Sequence, residues 1–351
     1  MVLNVFKVFG LTAIAFFAAF FVTPLLTHYL YKHKAWKKTV RAKTIDGKDA
    51  VIFNKFHKDK EVGTPRMGGM LVWGSTSLIA FLFLIIFKIY PTGLTEKLNF
   101  LSRSQTWLPL FTLIAASLIG LADDILQVLG KGKYIGGGLS LKKRIILVAL
   151  IGLIGGLWFY YKLEISSVLL PFFGDLNLGI LFIPFFIIVT LALFSGGVID
   201  GLDGLSGGIF ASIFAAYAGV AFFQNQIDLA AFCAVVAGSI LAFLWFNIPP
   251  ARFYMGETGI LGLTSTLAVV AFLTNSVLVL PIIAFPLLAE SASVIIQVLS
   301  KKYFKRKIFL AAPIHHHFEA KNWPSYKVTM RFWVIGLVSA IIGMVIILIG
   351  K

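Results

Sequence analysis

Two adjacent aspartates, Asp123 and Asp124, close an apolar run in the string SLIGLADDIL. Charge at the edge of such a run is costly unless it is hydrated or used. A helix end already carries partial negative charge at its C-terminus, so plain solvation would favour cations there. Paired carboxylates instead suit a hard cation such as Mg²⁺, or proton transfer beside a phosphorylated substrate. Asp200 and Asp203 stand three apart in GGVIDGLDGLSGG, the spacing that puts two side chains on one face of a helical turn. The surrounding glycines let backbone approach a ligand, and N–H groups at the start of the next apolar run can cradle phosphate. DG alone is a common turn dipeptide; two DGL repeats between apolar runs say more. Glu257, in ARFYMGETGI, is flanked by glycines and can reach a cation, and Asn247 upstream offers both a donor and an acceptor.

His315, His316 and His317 run together in PIHHHFE. Neighbours point in different directions and zinc sites use wider spacings, so contact with phosphate or sugar oxygens is favoured over a metal. Lys58, Lys60 and Arg66 surround the loop GTPRMGG, which lacks the Gly-Lys-Ser/Thr tail of a P-loop. Glu290 lies mid-way along an apolar run, with Gln297 further on. A carboxylate there is a functional candidate, but a paired residue holding a kinked helix is the reading preferred. Cys233, the one cysteine, allows no intrachain disulfide and reads as a small core residue.

The elements that must carry these residues are membrane spans. Of 351 residues, 59% are apolar and 13% charged, with mean hydropathy +0.92; soluble domains carry about 25% charged residues. The apolar residues fall in stretches of roughly 20, the length a helix needs to cross a bilayer. Ten spans are predicted near 5–31, 67–90, 107–126, 145–162, 178–196, 205–224, 229–247, 259–274, 277–300 and 332–350, all helical because lipid satisfies no backbone group. The first is too long for a signal-peptide core and lacks a clear cleavage site, so it is read as retained. Gly155 and Gly156 predict a close helix contact, and Pro281 and Pro286 a kink in the ninth span, a candidate wall for a lipid groove. The expected fold is all-α: a polytopic integral membrane protein with about ten transmembrane helices, one domain over 1–351.

The net charge of +16 could suggest nucleic acid. Of 31 basic residues, however, 25 fall in alternate loops: 32–66, 127–144, the Arg252 loop and 301–331. The positive-inside rule makes those loops cytoplasmic and both termini outward, with no nucleic-acid partner. Every polar motif then falls on the cytoplasmic face, as one site requires.

HKDKEVGTPRMGG, LADDIL, DGLDGL, FLWFNIPPARFYMGETG and PIHHHFE occur in the order found in the polyprenyl-phosphate N-acetylhexosamine-1-phosphate transferases. The chain resembles that family over roughly residues 50–335. GTPRMGG and PIHHHFE look like its peptidoglycan branch. The resemblance implies a bacterial inner-membrane enzyme. It would join UDP-N-acetylmuramoyl-pentapeptide to undecaprenyl phosphate with Mg²⁺, giving lipid I and UMP; a homodimer follows by family analogy only. It implies catalytic roles for Asp123, Asp124, Asp200, His315 and His316, and metal ligands in Glu257 and Asp124. Lys60, Gly201, Leu202, Asp203, Asn247, Tyr254 and His317 would contact substrate, with Tyr254 under the uracil.

The chain departs from the family pattern at Glu257 for Asp, Ile260 for Ser, Gly197 for Asn and Gln127 for Lys, and the stretch before Gly63 is one residue longer. Lys142, Lys143 or Arg144 could replace the missing cation, and the sequence does not choose. N-acetylglucosamine-1-phosphate transfer is the nearest alternative activity. A secondary transporter or an inactive lipid-binding paralogue are alternatives of another class.

Overall fold

The structure of the protein, a computed structural model, describes residues 1–38, 62–102, 105–132 and 137–350. The apolar runs close their backbone hydrogen bonds within themselves, as lipid demands. They form α1 (Val2–Lys32), α2 (Gly69–Ile89), a short α3 (Gly93–Leu98), α4 (Trp107–Val128) and α5 (Leu141–Leu157). A π-helical turn (Trp158–Lys162) and a hairpin of β1 (Ser167–Leu170) and β2 (Gly174–Asn177) follow. Then come α6 (Phe182–Gly196), α7 (Leu205–Phe223), α8 (Ile227–Asn247), α9 (Gly256–Leu273), α10 (Leu280–Ile283), α11 (Phe285–Phe304), α12 (Ile314–Ala320) and α13 (Ser325–Ile349).

Among the described residues, nine helical segments are long and apolar enough to cross a membrane. The chain is a multi-pass membrane protein. The span predicted at 277–300 is the exception, divided into α10 and α11 at Ala284. Pro281 and Pro286 each lie in the first two positions of a helix, where a missing N–H costs nothing. The chain therefore restarts its helix instead of bending through it. The hairpin was not anticipated; it lies in the connection between the spans predicted at 145–162 and 178–196.

Helices α7, α8 and α9 are buried along most of their length, while α1, α5 and α13 turn most of their surface outward. α8 packs between α1 and α7, and α9 lies along α4. Lipid tails are as apolar as these side chains, so helix association depends on close packing. Gly155 and Gly156 make the predicted contact, facing Phe186 and Ile183 of α6. Phe186 stacks on Phe272 of α9 with centroids 4.3 Å apart, and Phe159 and Phe182 edge the same cluster. At Gly120 of α4 an added Cβ would lie 2.1 Å from the Glu257 carbonyl oxygen. Any side chain there would push α4 off the start of α9.

Candidate active site

A helix begins with N–H groups that have no partner within it. At α9 the loop before the helix ends in Gly256, whose φ of +72° lets it enter from the left-handed region. The Gly256 N–H donates to Asp200 Oδ2 at 3.1 Å. Glu257 N–H donates to Asp124 Oδ1 at 3.1 Å and Thr258 N–H to Asp124 Oδ2 at 2.9 Å. Two carboxylates from separate motifs thus cap one helix, with their charge at its positive end. A Cβ on Gly256 would meet Asp124 Oδ2 at 2.5 Å, so glycine is required there.

Asp123 is equally buried but faces the third loop. Its carboxylate accepts from Gln127 Nε2 at 2.8 Å, from the Leu139 N–H and from Arg144 Nη2 at 2.7 Å. Arg144 also donates through Nη1 to Glu257 Oε1 and through Nε to the Leu139 carbonyl at 3.2 Å. Lys142 and Lys143 are exposed. Of the three cations the sequence left open, Arg144 is therefore the one that reaches the carboxylates. Arg66 Nε lies 3.6 Å from Asp124 Oδ1. Among the described residues three carboxylates, of Asp123, Asp124 and Glu257, pair with two guanidinium groups, and Asp200 joins them through the start of α9.

Asp200 and Asp203 do not share a helical turn, because α7 begins only at Leu205, after Gly204 at φ +77°. Asp200 accepts from Ser206 Oγ at 2.7 Å, and Asp203 Oδ2 accepts from the Ala251 N–H at 3.3 Å. The two aspartates hold opposite ends of the loop between α8 and α9. Burial pushes the Asp200 carboxyl above the ordinary carboxylate range, against the Ser206 hydrogen bond and Arg66, which favour the charged form. Asn247 is buried; its Oδ1 accepts from the Gly204 N–H and its Nδ2 donates to the Phe253 carbonyl. With the Leu205 N–H given to the Leu202 carbonyl, the first two N–H groups at this turn are already used. The Leu202 side chain is in the core. Burial, with Asp203 nearby, pushes the Tyr254 phenol up to about 12, and Thr64 hydrogen-bonds it. Lys60 lies outside the described residues.

The three histidines face three partners. His315 Nδ1 pairs with Glu290 at 2.9 Å, both fully buried, and the His315 ring lies against Gly201. His316 Nδ1 meets Glu319 Oε2 at 2.7 Å, and Ser325 Oγ donates to the other oxygen of Glu319. His317 Nδ1 accepts from the Leu310 N–H at 3.1 Å. Burial and then Lys321 hold the His317 imidazole below its ordinary pKa. Glu319, Ser206 and Ser325 were not singled out in the sequence. The i, i+3 spacing of His316 and Glu319 on a helix was the available signal for the first. Two departures from the family pattern touch: a Cβ on Gly197 would lie 2.4 Å from Ile260 Cγ2. The larger Ile260 fills the space that the small Gly197 leaves.

Among the described residues, no three acidic, histidine or cysteine side chains gather closely enough to enclose an ion. The donor set is carboxylate oxygen, and a positive group already bridges Asp123 and Glu257. That suits Mg²⁺, which takes one or two carboxylates and fills its remaining positions with water and substrate phosphates.

The profile of glycosyl transferase family 4 matches residues 106–275. The chain is similar to the phospho-N-acetylmuramoyl-pentapeptide-transferase of Dichelobacter nodosus, 35% identical over 81% of this chain and 80% of that protein. It is similar to the protein of the same name from Pelagibacter ubique, 33% identical over 97% of this chain and 94% of that one. The Geobacillus sp. protein of that name is 36% identical over 82% and 85%.

Proposed function

The chain belongs to the phospho-N-acetylmuramoyl-pentapeptide-transferase family, and we propose that the carboxylate cluster around the start of α9 is where it works. The enzyme transfers phospho-N-acetylmuramoyl-pentapeptide from its UDP-linked form to undecaprenyl phosphate, in peptidoglycan synthesis. The supporting observation is the shared cap: Asp200 and Asp124 bind the first three N–H groups of α9 and draw three motifs to one place.

In the reaction an oxygen of the lipid phosphate forms a bond to the β-phosphorus of the UDP-sugar. The bond from that phosphorus to the bridging oxygen breaks, and UMP leaves with the oxygen. Lipid phosphate is already largely ionised near neutrality, so little general-base help is needed. The role assigned to Asp123 is orientation, since three donors hold it in place. Glu257, with Asp124, would hold Mg²⁺, which neutralises charge on the pyrophosphate. Arg66 offsets further negative charge as the two anions meet. Asn247 and Asp203 shape the nucleotide side by holding the loops around Gly204 and Tyr254. His315 and His316, braced by Glu290 and Glu319, face the phosphates and sugar. His317 has its Nδ1 engaged by Leu310, so its main role is to fasten the loop before the histidine helix, with only a peripheral substrate contact left to Nε2.

The site is assigned to the cytoplasmic face of the bacterial inner membrane, with both termini outward, on the loop charges. The segment around the break between α10 and α11 is assigned to the prenyl tail; a photoactive prenyl phosphate should label that segment. UMP release should require UDP-N-acetylmuramoyl-pentapeptide, undecaprenyl phosphate and Mg²⁺ together. Equal release from UDP-N-acetylglucosamine, or solute uptake without UMP, would overturn the assignment. A phosphorylated enzyme trapped without lipid would replace direct attack with a covalent route.

A further inference from the structure

Arg144 is in the first turn of α5, where unpaired N–H groups make a cation unfavourable. Its neighbours Lys142 and Lys143 reach water, yet Arg144 is only 8% exposed. A buried guanidinium in such a place must be held by negative charge. It is held by two carboxylates from different helices, Asp123 of α4 and Glu257 of α9. The fork of an arginine suits this double contact and an ammonium does not. Two departures from the family pattern converge on the same group. Gln127 is neutral where the family carries a lysine, so it supplies Asp123 with a hydrogen bond but no charge. Glu257 is one methylene longer than the usual aspartate and reaches Arg144.

We propose that Arg144 occupies the divalent cation's place in the ligand-free protein. It competes with that cation for Glu257, the carboxylate both would share, and passes to the substrate phosphates when cation and nucleotide arrive. This rests on the cation requirement proposed above. The geometry allows the exchange: Nε is tied to the Leu139 carbonyl, which leaves the two Nη atoms as the moving end. The Glu257 side chain, at 20% exposure against 9% for Arg144, opens the pair toward solvent. A cation and a guanidinium on the same carboxylates repel each other, so binding one weakens the other.

The test is Mn²⁺ binding, followed by electron paramagnetic resonance, to the full-length protein in detergent without substrate. Arg144→Gln should bind Mn²⁺ about tenfold more tightly than wild type, about 1.4 kcal/mol. Its KM for the UDP-sugar should rise about tenfold, as the phosphates lose a partner. Arg144→Lys keeps the charge but not the fork, and should tighten Mn²⁺ about threefold; it decides the matter alone if Arg144→Gln does not fold. A merely structural arginine would leave Mn²⁺ affinity unchanged or weaken it, and that result in the folded variants overturns the proposal while leaving the cation requirement standing. Absence of Mn²⁺ binding in wild type and variants alike would also overturn the proposal, whereas UMP release that persists without any divalent ion would remove the cation requirement itself.

Discussion

Charge gathers beside both ends of helix α8, and the two ends hold it differently. At its start Asp228 Oδ1 meets Lys7 Nζ at 2.6 Å, and the same ammonium donates to the Asn99 carbonyl at 3.1 Å. One cation faces one anion, and Asp228 lies in the first helical turn, where negative charge is favoured. Asn247, 19 residues on and so about 28 Å away, lies at the carboxylate-rich end. There three carboxylates pair with two guanidinium groups among the described residues, and Asp200 lies beside them on the same helix start. A matched pair closes on itself and serves stability. Carboxylates gathered from several helices bring like charges together, a cost to the fold that a bound cation would relieve.

That contrast predicts opposite mutational signatures. Glu257→Gln should lower UMP release by about 10²–10³-fold, the scale for losing a charge that acts in the transition state. Thermal unfolding should hardly move. Near-normal turnover in this variant would remove the metal role given to Glu257. Lys7→Met should do the reverse, costing about 2 kcal/mol of stability because it leaves Asp228 without its cation. Turnover per folded molecule should stay at the wild-type level. Adding Asp228→Asn should recover most of the loss; if it does not, the pair is not what holds that end together.

Asp200 offers a subtler comparison within one residue. Its folded pKa is raised by burial, so its ionisation disfavours the fold. The stabilisation present below the unfolded value, about 3.9, is lost as pH climbs through the folded one. Asp200→Asn should therefore unfold at a higher temperature than wild type at neutral pH, by about 1 kcal/mol, with the difference closing below about pH 4. The amide oxygen can still accept from the Gly256 N–H, and the Ser206 hydroxyl can turn to accept from the amide NH2. Turnover, which needs the charge, should fall, and the wild-type acid limb should lie above the ordinary carboxylate range. A variant that is both less stable and less active would place Asp200 with Asp228, as structure alone.

Most spans were legible because hydropathy alone sets them: α4, expected at 107–126, runs from Trp107 to Val128. The broken ninth span was half legible. Its prolines were visible, but a restart and a kink differ only in whether each proline falls at a helix start. The hairpin falls in the connection between two predicted spans, and strands of four residues are too short to leave a firm pattern of their own. Within the site, the acidic residues could be chosen by type and motif, while the distances among them depended on long-range packing that spacing does not encode. Arg144 could not be separated from Lys142 and Lys143 for that reason, since burial distinguishes them and charge does not. Gly197 and Ile260 looked like two independent departures, and only their contact shows them to be one exchange of volume.

The histidine helix tests the same division on a smaller scale. His315 and His316 are each paired through Nδ1 with a carboxylate. His317 instead accepts from the Leu310 N–H, and its ring packs edge-on against Phe309. That work is the fastening of the loop between α11 and α12, which Gln297 also grips through Ile308 and Phe309. His317→Ala should then cost about 1 kcal/mol of stability, the worth of one hydrogen bond, and should change turnover less than about threefold. The imidazole must be neutral to accept, and its folded pKa lies below the usual one. Its contribution is present above the unfolded value, about 6.5, and is lost as pH falls through the folded value. Wild type should shed that increment on acidification while His317→Ala, lacking it already, does not. A turnover loss in His317→Ala as large as in His315→Ala would return His317 to the reacting groups and erase the distinction drawn along this helix.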